Sequence, residues 1–304
     1  SCAISRIERG TRMNTRLALP DADLIRGKSD LTFAVAFGGG GARGISHICV
    51  IEALDELGIR PVAIAGSSIG AIMGAGMAAG MSGREIHDYT VETIGPRGTL
   101  TNKLWSLGPA SMRDTLGGFK LGQFNLELVL KALLPPAIPD DFDTLKIPLK
   151  VMATDYYGQA EVVLESGDLA NAIAASAALP GIFMPVRING RIMIDGGVFN
   201  PVPYDHLMDL ADVVIGVDVV GAPEGDDSQA PTRIDSMFGA SQLMMQSAIA
   251  MKLRLQPPHI FLRPPVNRYR VLDFRKAEEI LEHSASVKDD LKRAVDAIYL
   301  AAEG

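Results

Sequence analysis

Apolar residues cluster in short runs at 31–37, 62–65, 148–154 and 211–219. The first two run into glycine-rich turns, at 38–44 and 66–70, and each turn opens a segment with helical spacing. Strand, turn and helix written twice predict a parallel α/β sheet whose turns lie at the carboxyl edge, where such sheets place their chemistry. The run at 211–219 is almost free of polar residues, as expected of a strand buried on both faces. Between these runs the pattern predicts a strand at 161–164 and a small-residue helix at 169–178. A hairpin follows, of strands 184–188 and 191–194 joined through Asn189-Gly190, a strong turn signal. Helical spacing recurs at 124–134, 205–210, 234–255 and 274–302, with a last short strand at 259–262. No charged residue occurs between 61 and 83, a stretch long enough to span a bilayer. It is broken at Ser67-Ser68 and carries glycine at 66, 70 and 74, so it reads as buried core whose helix lies close against the sheet.

Composition narrows the picture. The chain has 304 residues, of which 47% are hydrophobic, ample for one large core. Its net charge of −7 argues against a nucleic-acid partner and against strong adhesion to anionic membranes. Two cysteines, Cys2 and Cys49, are too few for a disulfide framework and suit a reducing compartment, so a cytoplasmic location with at most peripheral contact at the inner membrane is expected. Residues 1–30 form a polar arm, with Arg6, Arg9, Arg12 and Arg16 against Glu8 and no apolar core of the secretory kind. Residues 31–304 read as a single domain. Within it, 95–122 is a long glycine-rich loop that holds Trp105, Leu104 and Leu107, and it reads as a lid that meets lipid or as plain packing. The helix at 234–255 carries Met237, Met244, Met245 and Met251; that face is core, an acyl-chain wall or a dimer surface.

The second glycine turn, Gly66-Ser67-Ser68-Ile69-Gly70, has the G-x-S-x-G spacing of a nucleophile elbow. A sharp strand-to-helix turn lifts the Ser68 hydroxyl clear and leaves no room for side chains two residues to either side. The following helix aims its positive end at the reacting centre. The first turn fits G-x-G-x-x-G at Gly39, Gly41 and Gly44, the spacing of a dinucleotide site. That reading needs an acid at the end of the next strand, where the chain has Ala65-Gly66-Ser67-Ser68. The same N–H-rich loop can instead hold the oxyanion of a tetrahedral intermediate. A base for Ser68 is not found among motifs around His47, His87, His206, His259 or His283. Asp195 is the better candidate: a short strand ends on it and two glycines follow, so its carboxyl projects where little blocks approach. The acidic turn at 139–143 lacks the spacing of a calcium loop.

Three segments in this order, Gly39-Gly40-Gly41-Ala42-Arg43-Gly44, Gly66-Ser67-Ser68-Ile69-Gly70 and Asp195-Gly196-Gly197, resemble the three motifs of the patatin-like phospholipase family. The text at 151–155, 174–183 and 211–218 resembles its bacterial members too. The resemblance implies a patatin-like three-layer sandwich, a mostly parallel central sheet flanked by helices. It implies a Ser–Asp dyad in which Ser68 is the nucleophile and Asp195 the base, with no catalytic histidine, metal or cofactor. The backbone N–H groups of Gly39, Gly40 and Gly41 would form the oxyanion hole. Arg43 would orient that loop or meet a lipid phosphate, unless it is a surface arginine paired with Glu52 or Asp55. The implied substrate is a phospholipid or lysophospholipid; soluble acyl esters and thioesters, a nucleotide-binding regulatory module and a conventional hydrolase with a histidine base are the alternatives. A homodimer is compatible with all of them.

Overall fold

The computed structural model describes residues 15–20, 25, 27, 30–94, 134–225, 228 and 230–303. The arm's arginines up to residue 12, the loop 95–122 with Trp105, Leu104 and Leu107, and the expected helix at 124–134, except its last residue, lie outside those residues.

Strand β1 (Thr15–Leu17) belongs to the arm and pairs antiparallel with the strand at 260–262. Strand β2 (Phe33–Phe37) is wholly buried, and a short 3-10 segment, Gly41–Ser46, leads from it into α1 (His47–Glu56). Next come β3 (Ala63–Ser67), α2 (Ile69–Ala78) and α3 (Gly83–Ile94). After the gap, β4 (Leu149–Asp155) and β5 (Ala160–Leu164) lead to α4 (Leu169–Ser176). The hairpin is β6 (Val186–Ile188) and β7 (Arg191–Asp195). It is followed by β8 (Val213–Val217), α5 (Arg233–Leu255), β9 (Ile260–Leu262), α6 (Ala277–Ser284) and α7 (Ser286–Glu303).

The nine strands form one sheet in the order β1-β9-β8-β2-β3-β4-β7-β6, with β5 on β4. Its five central strands, β9-β8-β2-β3-β4, are parallel, and antiparallel pairs close both margins. Alternation along β2 sorts the two faces. Phe33, Val35 and Phe37 enter the larger core with Ile48, Ile51, Ile64, Leu149 and Ile298, under α1, α2, α6 and α7. Ala34 and Ala36 join Ala63, Ala65, Val214 and Phe261 in a thinner layer covered by Ile249 and Leu253 of α5 and by Val202 and Tyr204. Among the described residues the result is three layers, with α5 alone among the long helices on its side.

The uncharged stretch at 61–83 is β3, the elbow and α2, and a Cβ on Gly74 would sit 3.1 Å from Ile64 Cγ2, so that helix does lie close on the sheet. Among the described residues no helix is long and apolar enough to cross a membrane. Two expectations need correction. The segment at 274–302 is a 3-10 turn and two helices that break at Ala285 rather than one helix, and 205–210 holds only a 3-10 turn, Tyr204–Leu207. The methionines of α5 are not core: Met237, Met244 and Met251 are exposed, and only Met245 packs inward.

Candidate active site

Strand β4 sets the site. Its residues Val151 and Met152 pair with β3 on one edge and with β5 on the other. Further along, Ala153, Thr154 and Asp155 still pair with β5, while their other edge is taken by β7. Strands β3 and β7 therefore share one edge of β4 and approach each other end to end. The parallel strand stops at Ser67, opposite Met152, and the antiparallel one stops at Asp195, opposite Ala153. Neighbouring rungs of one ladder thus bring Ser68 and Asp195 together across 127 positions of sequence.

Ser68 sits at φ 55°, ψ −123°, a strained backbone for a side-chain-bearing residue, and caps α2. The strain is enforced by its neighbours. A Cβ on Gly66 would lie 2.6 Å from Ala71 Cα, and one on Gly70 would lie 2.1 Å from the Phe37 carbonyl oxygen. The Ser68 N–H donates to Ser176 Oγ at 2.8 Å, and its half-buried hydroxyl donates to Asp195 Oδ2 at 2.6 Å. Asp195 is 5% exposed. Its other oxygen accepts the Gly197 N–H at 2.7 Å, and its backbone is held by Thr154 Oγ1 and the Ala178 carbonyl. Burial raises this carboxyl out of the ordinary range to about 6, against the opposing pull of the Ser68 and Gly197 hydrogen bonds. Gly196 is required because a Cβ there would be 2.1 Å from the Met152 carbonyl oxygen.

The glycine loop lies beside Ser68: a Cβ on Gly39 would be 3.3 Å from Ser68 Cβ. Its N–H, however, donates to the Pro201 carbonyl at 2.9 Å, so the expectation of three free donors is corrected to two. The N–H groups of Gly40 and Gly41 have no hydrogen-bond partner among the described residues. Gly41 has φ 60°, and its Cβ would meet the Val271 carbonyl at 2.3 Å. Arg43 is likewise reassigned. It is neither on the surface nor open to a substrate, being 2% exposed with Nε on the Val219 carbonyl (3.1 Å) and Nη1 on the Tyr269 carbonyl (3.2 Å). Burial lowers its pKa to about 10 in spite of Asp218 and Asp273, so it is a charged clamp behind the loop.

None of the five histidines is hydrogen-bonded to Ser68. His47 is buried, held neutral with its pKa lowered to about 4 by burial, and its Nε2–H donates to the Gly38 carbonyl at 2.8 Å. His87 contacts Asp88, His206 contacts Glu161, His259 accepts the Val214 N–H, and His283 contacts Tyr269. Glu161, Asp205 and His206 converge closely enough to hold a metal ion, but the Lys252 ammonium already bonds Asp205 there and donates to Asn200 Oδ1 at 2.7 Å. This network escaped the sequence reading, as did Ser176. Its centre is Asn200, 3% exposed, which donates to Glu161 at 2.8 Å and whose N–H bonds the Gly196 carbonyl at 2.9 Å. Only the polar Asn200 directly before Pro201, a few residues past Asp195, could have hinted at it.

The sequence profile described as patatin-like phospholipase matches residues 35–208, a span holding all three motifs. The chain belongs to the patatin-like phospholipase family. Among its patatin-like relatives is a protein of Mycobacterium tuberculosis named an uncharacterized NTE family protein, 34% identical over 76% of this chain and 61% of its own length. Mouse patatin-like phospholipase domain-containing protein 7 is 28% identical over 82% of this chain. Lysophospholipase NTE1 of Kluyveromyces lactis is 27% identical over 85%. The chain spans only 20% and 19% of those two proteins. Human GIVD cytosolic phospholipase A2 aligns in structure over 92% of this chain and 60% of its own, with TM-score 0.46 and 11% identity.

Proposed function

We propose that this patatin-like chain is a serine acyl hydrolase that cleaves fatty-acyl esters of phospholipids or lysophospholipids through an acyl-enzyme. The observation that carries the reading is the 2.6 Å hydrogen bond from the strained Ser68 to the buried Asp195. In the first step Ser68 Oγ attacks the ester carbonyl as its proton passes to Asp195. The tetrahedral oxyanion faces the free N–H groups of Gly40 and Gly41, supported by the positive end of α2. Collapse breaks the ester C–O bond, and Asp195 returns the proton to the departing alcohol. Water then attacks the acyl-Ser68 ester as Asp195 accepts its proton, and the acyl–Oγ bond breaks as Asp195 returns that proton to Ser68, releasing the free acid. A carboxyl held near 6 by burial is a stronger base than an ordinary aspartate and is still ionised at neutral pH.

Lysophospholipase is the activity in the name of the yeast relative, which supports a lipid ester over a soluble one. The test is hydrolysis of a short-chain phosphatidylcholine followed through its micelle-forming concentration, with wild type beside Ser68→Ala. A rate that rises when micelles form and vanishes in the variant is expected. Fatty-acid release only from soluble esters or thioesters would move the substrate class, and release surviving in Ser68→Ala would remove the nucleophile.

A further inference from the structure

The carboxyl edge of the sheet continues past the glycine loop. Gly66, Phe37, Val217 and Leu262 lie side by side on one rung across the parallel strands β3, β2, β8 and β9. The next residue of each strand is, in turn, Ser67, Gly38, Asp218 and Arg263, so Arg263 stands level with the elbow. Its half-buried side chain leans back toward the elbow. The Nε–H donates to Asp218 Oδ2 at 2.9 Å, and Cζ lies over the Phe261 ring, 5.1 Å from its centre. These contacts hold the guanidinium over β8, two strand spacings or about 10 Å from β3. Asp218 is 3% exposed and its oxygens are taken: they also accept the Val220 N–H at 3.0 Å and Gln246 Nε2 at 3.2 Å. Both Nη groups of Arg263, by contrast, have no hydrogen-bond partner among the described residues. Arg263 lines a cavity of about 70 Å³ together with Asp218, Gly221, Gln246 and the turn at 264–267. Arg43 lies behind the Gly221 wall, where a Cβ would be 3.1 Å from its Nε.

We infer that this cavity is a phosphate subsite, in which the open Nη edge of Arg263 holds the phosphate of the lipid whose ester lies at Ser68. The inference rests on the acyl-hydrolase reading above. A guanidinium fixed through Nε and by stacking, with its two-nitrogen edge open, is preorganised to take a phosphate bidentately. The space amounts to about two water volumes, enough for a tetrahedral oxyanion and too little for an acyl chain. A lysophospholipid laid along the sheet edge passes Gly40 and Gly41, with one glycerol unit between its ester at Ser68 and its phosphate at Arg263. The part that the enclosed Arg43 cannot play thus falls to Arg263. Pairing with Asp218 cancels most of its long-range charge, so the subsite reads phosphate at contact and does not draw anionic surfaces from a distance.

The test compares lysophosphatidylcholine with monoacylglycerol of the same chain, both below their micelle-forming concentrations, for wild type, Arg263→Gln and Arg263→Lys. Arg263→Gln is expected to lower the kcat/KM preference for the phosphate-bearing lipid by about tenfold or more, through KM. Arg263→Lys is expected to restore part of it, since an ammonium keeps the charge and loses the fork. A fall of equal size on both lipids would make Arg263 a structural residue and overturn the subsite. The second arm is titration calorimetry with inorganic phosphate, where binding is expected for wild type and not for Arg263→Gln. Binding absent from wild type, or persisting in Arg263→Gln, would overturn the pocket. Phosphate binding that needs Arg263, beside an unaltered lipid preference, would give the pocket to free phosphate and remove the headgroup. A wild type that hydrolyses neither lipid would instead remove the acyl-hydrolase reading, while the calorimetry still reads the pocket.

Discussion

Burial is the larger influence on the Asp195 carboxyl and holds it near 6, above the ordinary carboxylate range. The proposed mechanism needs the ionised form, so log kcat/KM is expected to rise with unit slope below about pH 6 and to level off above it. An inflection that moves when any one histidine is replaced would remove Asp195 as the base. Stability has the opposite sign. A group whose folded pKa is raised contributes stability that is complete below its unfolded value and is lost as pH rises through the folded one. Asp195→Asn, which stays neutral, is therefore expected to be inactive yet more stable than wild type at pH 8, by about 1–3 kcal/mol, with the gap closing near pH 4. Urea melts at the two pH values read this directly. Arg43 calls for a different experiment, because its guanidinium serves two backbone carbonyls. Arg43→Met should cost about 2–4 kcal/mol and leave the preference between zwitterionic and anionic substrates unchanged. A selective loss of anionic substrate would restore Arg43 to the binding site.

At the level of elements, the elbow and the segment after Asp195 carry the constraints. Gly70→Ala would drive a Cβ to 2.1 Å from the Phe37 carbonyl oxygen, so the strand–helix junction must open. A loss of at least about 3 kcal/mol, or of soluble protein, is expected in a denaturation assay. The segment 195–201 links Asp195 to the glycine loop, since Asp195 bonds Ser68 and the Pro201 carbonyl takes the Gly39 N–H. Asn200 fixes that segment from behind. Asn200→Ala is expected to lower kcat roughly tenfold with KM little changed, because the serine and its donors lose register rather than contacts to substrate. An equal rise in KM would argue for direct substrate contact instead. The sequence made the elbow, the Asp195 strand end and the central strands legible, because glycine spacing and short apolar runs are local signals. Asn200, Ser176 and the clamp role of Arg43 were not legible, since each acts on a group far away in sequence: Arg43 on the Tyr269 carbonyl, Ser176 on the Ser68 N–H and Asn200 on the Glu161 and Lys252 side chains. The methionines of α5 were left open between core and surface for the same reason, as periodicity shows a stripe but not which side of the helix the sheet will cover.

For the whole molecule the sheet is a device for meeting: two strands of opposite direction share one edge of β4, and Ser68 meets Asp195 where they abut. The rest of the chain adds a field. With 29 basic and 36 acidic residues the net charge is −7, and it acts on any lipid aggregate that approaches Ser68. Like charge lowers the local concentration of anionic aggregates, and salt screens that effect over a Debye length of about 10 Å at 0.1 M. At low ionic strength, phosphatidylcholine dispersions should therefore be hydrolysed faster than phosphatidylglycerol dispersions of equal chain length. Added salt should raise the phosphatidylglycerol rate and leave the phosphatidylcholine rate nearly flat, so that the two converge. Arg43 cannot offset the repulsion, because its charge is enclosed behind the loop. A phosphatidylglycerol rate that falls with salt would mean that a cationic surface of the chain, rather than its net charge, governs the approach of lipid.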